Sequence, residues 1–350
     1  MLFRDVANFD NPNLEKDQLK YHVPAFNSNM AWETLRPLVE NVEEEFIMKA
    51  IGSAQYDELQ TLYDDYPNTP LNAQVENLIR KLQRSIAYFT LWRAQRETAM
   101  SISDMGPSEV VATENTVLAP RQWVFKMADK EAFREGHKHL ELALAYMEER
   151  FSDFPIWAGS EAYTQSKDLF FNTSSELAEY LPAYNHRVVY LQLRASIRQA
   201  ELRYIKPVLC ELYDEIKQAI LNSATTALTL AQLDLVNQVR LCLSNWAIKH
   251  ALPLLRLEVT QEGLVAVAYD SAIQKASPAS EGAVRSMWIN LDQAGSEFLE
   301  QLKSFLIQRK DDFPTWRDGT CGQKILEALE SAAEAADDEC YKGGPVIGLW

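Results

Sequence analysis

The stretch from His22 to Trp157 recurs, in order, between Tyr180 and Trp316, and this duplication constrains the fold more than any other feature of the chain. At a fixed shift of 158 residues, Pro24-Ala25-Phe26-Asn27 matches Pro182-Ala183-Tyr184-Asn185 and Leu35-Arg36 matches Leu193-Arg194, while Glu43 and Ile47 match Glu201 and Ile205. One residue is then lost. Tyr56-Asp57-Glu58-Leu59 falls on Tyr213-Asp214-Glu215-Ile216, and Gly106 falls on Gly263. Near the end of each copy Gly136, Leu140 and Glu141 meet Gly295, Leu299 and Glu300. Asp153-Phe154-Pro155-Ile156-Trp157 meets Asp312-Phe313-Pro314-Thr315-Trp316. Matches held in order at nearly constant offset imply two copies of one fold.

Each copy reads as helical. Val75, Leu78, Ile79, Leu82, Ile86 and Phe89 form a stripe of helical period, and Leu235, Val236, Val239, Leu243 and Trp246 repeat it from the second position onward. The pattern predicts helices near 32–50 (190–210), a short helix around the Tyr-Asp-Glu motif, a long helix at 72–100 (229–254) and a final helix at 130–151 (291–310). Proline in Asp-Phe-Pro-x-Trp disfavours helix at the residue before it and ends the last element. The alternation Leu257–Val267 around Gly263 predicts a β-hairpin, with a weaker counterpart at Ser101–Ala112. The expected fold is mainly α: two tandem, similar helical-bundle units, each with a small β-hairpin, plus an extended C-terminal tail. The expected domains are 1–167, 168–325 and 326–350.

Composition agrees. With 47% hydrophobic residues, only 12 Gly and 14 Pro, the chain can bury two ordinary cores and favours helices over a turn-rich β protein. No apolar run reaches the roughly 18 residues of a membrane span, and the N-terminus lacks the basic-then-apolar order of a signal peptide. A soluble protein made in a cytoplasm is expected. A net charge of −16 opposes general affinity for nucleic acid, whose phosphates need Lys and Arg.

The residues that could do chemistry sit in the wrong patterns for it. Cys210, Cys242, Cys321 and Cys340 form no C-x-x-C spacing and read as structural thiols. His137 and His139 lie two apart, about 200° around a helix, so they cannot share a metal; both read as surface residues. His250 reads as a partly buried polar residue. Asp57-Glu58 and Asp214-Glu215 recur as pairs, yet neighbouring side chains on a helix diverge, so they read as solvated faces. Glu43-Glu44-Glu45 likewise reads as an exposed run. Trp157 and Trp316, each after Phe-Pro at a helix exit, read as plugs of their own cores. Phosphate-cradling glycine loops, nucleophile elbows and metalloprotease motifs do not occur. No enzyme activity, cofactor or metal is expected. Pro24, Asn27, Tyr56, Gly106 and Trp157, with Pro182, Asn185, Tyr213, Gly263 and Trp316, are structural marks of the repeat.

After an acidic run, Gly343-Gly344-Pro345-Val346-Ile347-Gly348-Leu349-Trp350 closes the sequence. Its four large apolar side chains cannot bury themselves on a Gly/Pro segment. Docking on a partner would return about 8–10 kcal/mol at ~25 cal/mol per Å², against about 8–16 kcal/mol to order the segment. Such a tail needs backbone hydrogen bonds or the high local concentration of an oligomer. Gly343, Gly344, Pro345, Val346, Ile347, Leu349 and Trp350 are therefore the expected partner-docking residues.

Leu35-Arg36-Pro37, Glu44-Glu45-Phe46-Ile47 and Ile51-Gly52-Ser53-Ala54-Gln55-Tyr56-Asp57-Glu58-Leu59 are similar to the opening helices of head-to-tail connector proteins of tailed phages. Residues 20–350 as a whole resemble an uncharacterised two-copy group of phages and prophages of Bacteroides-type bacteria. The second copy departs from the pattern, having Leu209-Cys210 in place of Ile-Gly, and such connectors usually carry one helical unit. The resemblance implies a non-enzymatic virion protein: a ring homo-oligomer between the portal and a tail or second connector protein, assembled in the host cytoplasm, with no membrane contact. DNA would only pass through its lumen, kept from sticking by like charge. The competing expectation is a cellular α-helical binding module holding a peptide or small ligand between its copies.

Overall fold

The computed structural model describes residues 1–3, 19–23, 32–66, 68–98, 100–103, 106–109, 122–181, 186–260, 263–266, 270–271, 274–275, 281–328 and 331. It is mainly helical. Its contacts divide the chain into two compact units: Met1–Asp168 with Asn172–Gln192 and Thr260–Pro278, and Leu169–Phe171 with Leu193–Val259 and Ala279–Trp350.

In the first copy, α1 (Trp32–Val42) runs into a π-helical turn at Glu43–Met48 and stops at Ile51. Gly52 then breaks the helix at φ 83° and ψ 146°, close to a region essentially reserved for glycine, which costs a side-chain-bearing residue on the order of 1–3 kcal/mol. There follow α2 (Ser53–Asp65), α3 (Ala73–Thr98), α4 (Gln122–Glu149), a 3-10 turn at Phe151–Asp153, the single turn Pro155–Ala158 and α5 (Glu161–Ser166).

The second copy repeats this order. α6 (Arg187–Ala200) meets a π-helical turn at Glu201–Ile205 and ends with Lys206–Leu209. Cys210, at φ 45°, takes the place of Gly52. Next come α7 (Glu211–Leu221), α8 (Leu230–Arg256), α9 (Glu281–Gln308), Lys310–Asp312, Pro314–Arg317 and α10 (residues 320–328). A positive φ between the two helices therefore survives the loss of Ile-Gly, although ψ changes from 146° at Gly52 to −116° at Cys210.

The α3 stripe Leu78, Ile79, Leu82, Ile86 and Phe89 is buried, as are Leu235, Val236, Val239, Leu243 and Trp246 on α8. Each such side chain contributes roughly 1.5–3 kcal/mol of apolar burial. α4 lies antiparallel against α3, and the Ser85 hydroxyl donates to the Gly136 carbonyl at 2.8 Å. Gly136 makes room for the Phe89 ring: a Cβ there would stand 2.7 Å from it. Gly295 repeats the device against Trp246, at 2.5 Å. Trp157 and Trp316 are 2% and 0% exposed and close their units, as expected. The Trp157 amide donates to Gln55 Oε1 at 3.0 Å, and Trp316 Nε1 donates to the Val208 carbonyl at 2.9 Å.

Several expectations need correction. α4 and α9 begin eight to ten residues before the predicted starts at 130 and 291, because no proline follows Pro120 or Pro278 to stop them. The segments expected to be hairpins build no β layer. Strand β1 (Met100–Ser103) pairs antiparallel with β2 (Gly106–Glu109), and in the counterpart the short strands Leu257–Thr260 and Gly263–Ala266 form another two-stranded pair. Gly106 and Gly263 each open a strand. His137 is not a surface residue but 5% exposed, and Glu43 is 2% exposed. Cys210 and Cys321 are not thiols: they form a disulfide with a Cα–Cα distance of 6.1 Å, whereas Cys242 is free and buried. Cys340 lies outside the described residues.

Candidate functional site

Glu43 and Glu201 open the two π-helical turns, and each is buried for the same purpose. Glu43 accepts the Leu2 N–H at 2.7 Å, while Gln83 Nε2 on α3 donates to the Leu2 carbonyl at 2.7 Å. Glu201 accepts the Phe170 N–H at 2.6 Å, and Arg240 Nε on α8 donates to the Phe170 carbonyl at 2.9 Å. In both copies, side chains alone satisfy both polar groups of one residue, as a neighbouring strand would. The side chains held this way, Leu2 and Phe3 in one copy and Phe170 and Phe171 in the other, are at most 2% exposed. Each helical unit thus clasps a buried apolar dipeptide that precedes it in the chain.

Burial sets the electrostatics of the clasp. It raises the Glu43 carboxyl above its ordinary range, against the opposing hydrogen bond from Leu2. The Tyr56 and Tyr213 phenols are pushed up by burial and by the Glu43 and Glu201 charges beside them. Tyr213 Oη donates to Glu201 at 3.0 Å and Lys217 Nζ at 2.7 Å. Desolvation brings the Lys217 ammonium down to about 8, with Glu201 resisting.

The copies diverge one turn further along the long helices. In the first, Phe46 stacks on Phe89 at 4.1 Å, Trp92 meets Phe133 at 4.7 Å, and His137 points edge-on at Phe133 from 4.6 Å. In the second, Tyr204 stacks on Trp246 at 3.9 Å, but Lys249 and Asp292 replace Trp92 and Phe133. Lys249 Nζ lies 2.5 Å from Asp292 Oδ1 and 4.2 Å from the centre of the Trp288 ring. The hydrogen bond from Lys249 holds the Asp292 carboxyl below its ordinary range. An aromatic knot in one copy is a charged cluster in the other.

A family model described as a family of unknown function, DUF6712, matches the chain twice, over residues 47–167 and 205–324. The chain belongs to this family. It carries two DUF6712 units in tandem, in register with the repeat read from the sequence. No curated protein and no solved structure matches the chain.

The sequence displays only half of the clasp. Glu43 and Glu201 stand out as an acidic match, and Tyr56 and Tyr213 as repeat marks, but their partners Gln83 and Arg240 differ in type between the DUF6712 units. Asp57-Glu58 and Asp214-Glu215 are exposed, as read from the sequence, and so are Glu44 and Glu45, although Glu45 pairs with Arg93. Pro24, Asn27, Pro182, Asn185 and the docking tail Gly343–Trp350 lie outside the described residues. A cleft of about 350 Å³ in the first unit is lined by Arg134, Lys138, Glu141, Ser174, His186 and Arg187. Its cations Arg134 and Lys138 are countered on their own helix by Glu131 and Glu135. Among the described residues, no group of His, Cys, Asp and Glu could hold a metal ion, and no helix is long and apolar enough to cross a membrane.

Proposed function

We propose that this protein is a non-enzymatic structural component of a phage virion, a connector or adaptor ring subunit between portal and tail. The observation that supports the reading best is the tandem pair of DUF6712 units with one element order, in an acidic chain of net charge −16. A duplicated helical unit offers two surfaces per chain, and a ring forms where one surface of a subunit fits a different surface of the next. The use of buried charge also fits: Glu43 and Glu201, repeated in both copies, each hold a backbone N–H. The acidic surface would repel passing DNA, and the tail Gly343–Trp350 would clasp an adjacent subunit or the portal.

Light scattering and negative-stain electron microscopy of the purified chain, alone and with portal protein, test this reading. Closed rings, or a stoichiometric complex with portal, are the expected outcome. A strictly monomeric protein at high concentration in both conditions overturns it.

A further inference from the structure

The two copies hold their last helix by different means. α5 of the first copy is capped by Ser160, whose Oγ accepts the Tyr163 N–H at 3.1 Å, and it is anchored by Tyr163, 3% exposed, against Trp157 at 4.9 Å. In the second copy the position of Tyr163 is Gly322, where a Cβ would come within 1.9 Å of the Trp316 carbonyl oxygen, so no side chain can anchor α10 there. The aromatic anchor is gone. Standing in its place are the Cys210–Cys321 bond and hydrogen bonds from Thr320 to the exposed Glu211 carboxylate, its Oγ1 donating at 2.7 Å.

The first copy also shows what the disulfide is not for. Gly52 and Ala162 occupy the positions of Cys210 and Cys321, and the Gly52 turn forms there without a covalent link. We infer that the Cys210–Cys321 bond is a thiol-sensitive lock on α10: reduction releases the helix at residues 320–328 while leaving the rest of the second unit folded. Both sulfur-bearing residues are half-exposed, unlike buried Cys242, so a low-molecular-weight thiol can reach them. Opening is thiol–disulfide exchange. One thiolate attacks a sulfur of the bond and forms a mixed disulfide; a second displaces it. Cys210 and Cys321 leave as two protonated thiols, and the two reductant thiols leave as one disulfide. A reducing cytoplasm holds the lock open and an oxidising medium closes it.

Residues 343–350 follow α10 in the chain, so an open lock would free the root of the docking tail. That consequence rests on the proposed function; the lock does not.

Hydrogen–deuterium exchange with mass spectrometry on the full chain, oxidised and then reduced with dithiothreitol, tests the lock. In the oxidised protein a Cys210–Cys321 linked peptide is expected. On reduction, exchange over residues 320–328 should rise about tenfold or more while α7 and α8 keep their protection. C321S should behave as the reduced protein under both conditions, and C242S as the wild type. Three results overturn the inference: no linked peptide even after treatment with oxidised glutathione, unchanged exchange over 320–328 on reduction, or loss of protection across the whole second unit. Deleting 343–350 should leave the exchange change intact even if ring assembly fails, which separates this test from that of the proposed function.

Discussion

The Glu201 carboxylate, 1% exposed, accepts the backbone N–H of Phe170 at 2.6 Å. It also serves Tyr213 and Lys217, so three donors converge on one buried acid. E201A removes this shared acceptor from all three and should cost about 3–5 kcal/mol. E201Q retains an oxygen for Phe170 but no charge for Lys217, and should cost less, about 1–3 kcal/mol. Urea unfolding followed by circular dichroism measures both. A change under about 0.5 kcal/mol in E201A would mean that the clasp is ornamental.

His137 should give the first unit an acid-labile step. Burial among Phe46, Phe89 and Phe133, with Arg187 adding repulsion, lowers its pKa from 6.5 to about 4. A depressed folded pKa means that the unfolded chain takes up the proton first. The stabilising contribution is therefore complete above pH 6.5 and is lost as pH falls toward about 4. Its size is on the order of 3 kcal/mol. H137L should flatten the dependence of the melting temperature on pH across that window. Parallel curves for the two proteins would show that another group governs the loss.

How much of this was legible depends on whether a feature is periodic. The α3 and α8 stripes, the Trp157 and Trp316 plugs and the shared element order follow from apolar spacing and repetition, which a single sequence displays. The clasp does not, because Gln83 and Arg240 perform one task with different side chains and their partners Leu2 and Phe170 precede the recognisable repeat. Nor does the disulfide. Its cysteines are 111 residues apart, and their equivalents Gly52 and Ala162 contain no sulfur to betray the pairing. His137 was misread since its neighbours Phe46 and Phe89 come from other helices, where local spacing is blind. Glu43 was misread for a related reason: its run looks solvated, and only a segment beyond the repeat gives it work.

Lys249 and Asp292 sit where the first copy places Trp92 and Phe133, so the fold itself does not require a charge pair there. D292F alone strands Lys249, which is 6% exposed, and should destabilise by about 1–3 kcal/mol. Adding K249W rebuilds the aromatic contact and should restore or exceed wild-type stability. Opposite signs for the single and double variants are the signature. If the double variant is the less stable, the charged cluster is part of the second core.

Helix propensity alone says that glycine to alanine in a helix gains about 1 kcal/mol. G136A and G295A should do the reverse. The new methyl groups would fall 2.7 Å from the Phe89 ring and 2.5 Å from Trp246, and both rings are buried and stacked, with no room to yield. Overpacking should cost about 1–3 kcal/mol net. Gly282 has nothing within 4 Å of its Cβ position, so G282A should be neutral or gain up to about 1 kcal/mol. Thermal melts of the three variants check the order. A stabilised G136A would mean that α3 and α4 pack less closely than described.

The equivalence of Gly52–Ala162 and Cys210–Cys321 can be made covalent. A Cβ built on Gly52 lies 3.7 Å from the Ala162 Cβ, within the usual span of a disulfide. In a C210S/C321S background, G52C/A162C should therefore oxidise to a single bond. Closing a loop of that length should raise stability by about 2–4 kcal/mol, less about 1–3 kcal/mol for a side chain at positive φ. Peptide mapping identifies the bond, and melting with and without dithiothreitol measures its effect. The second copy shows a cysteine at positive φ in the equivalent position, Cys210 at φ 45° and ψ −116° where Gly52 has φ 83° and ψ 146°. Should the two engineered thiols stay free under oxidant, the turns of the two copies do not superpose, and the reasoning carried between them from Gly52 to Cys210 would lose its footing.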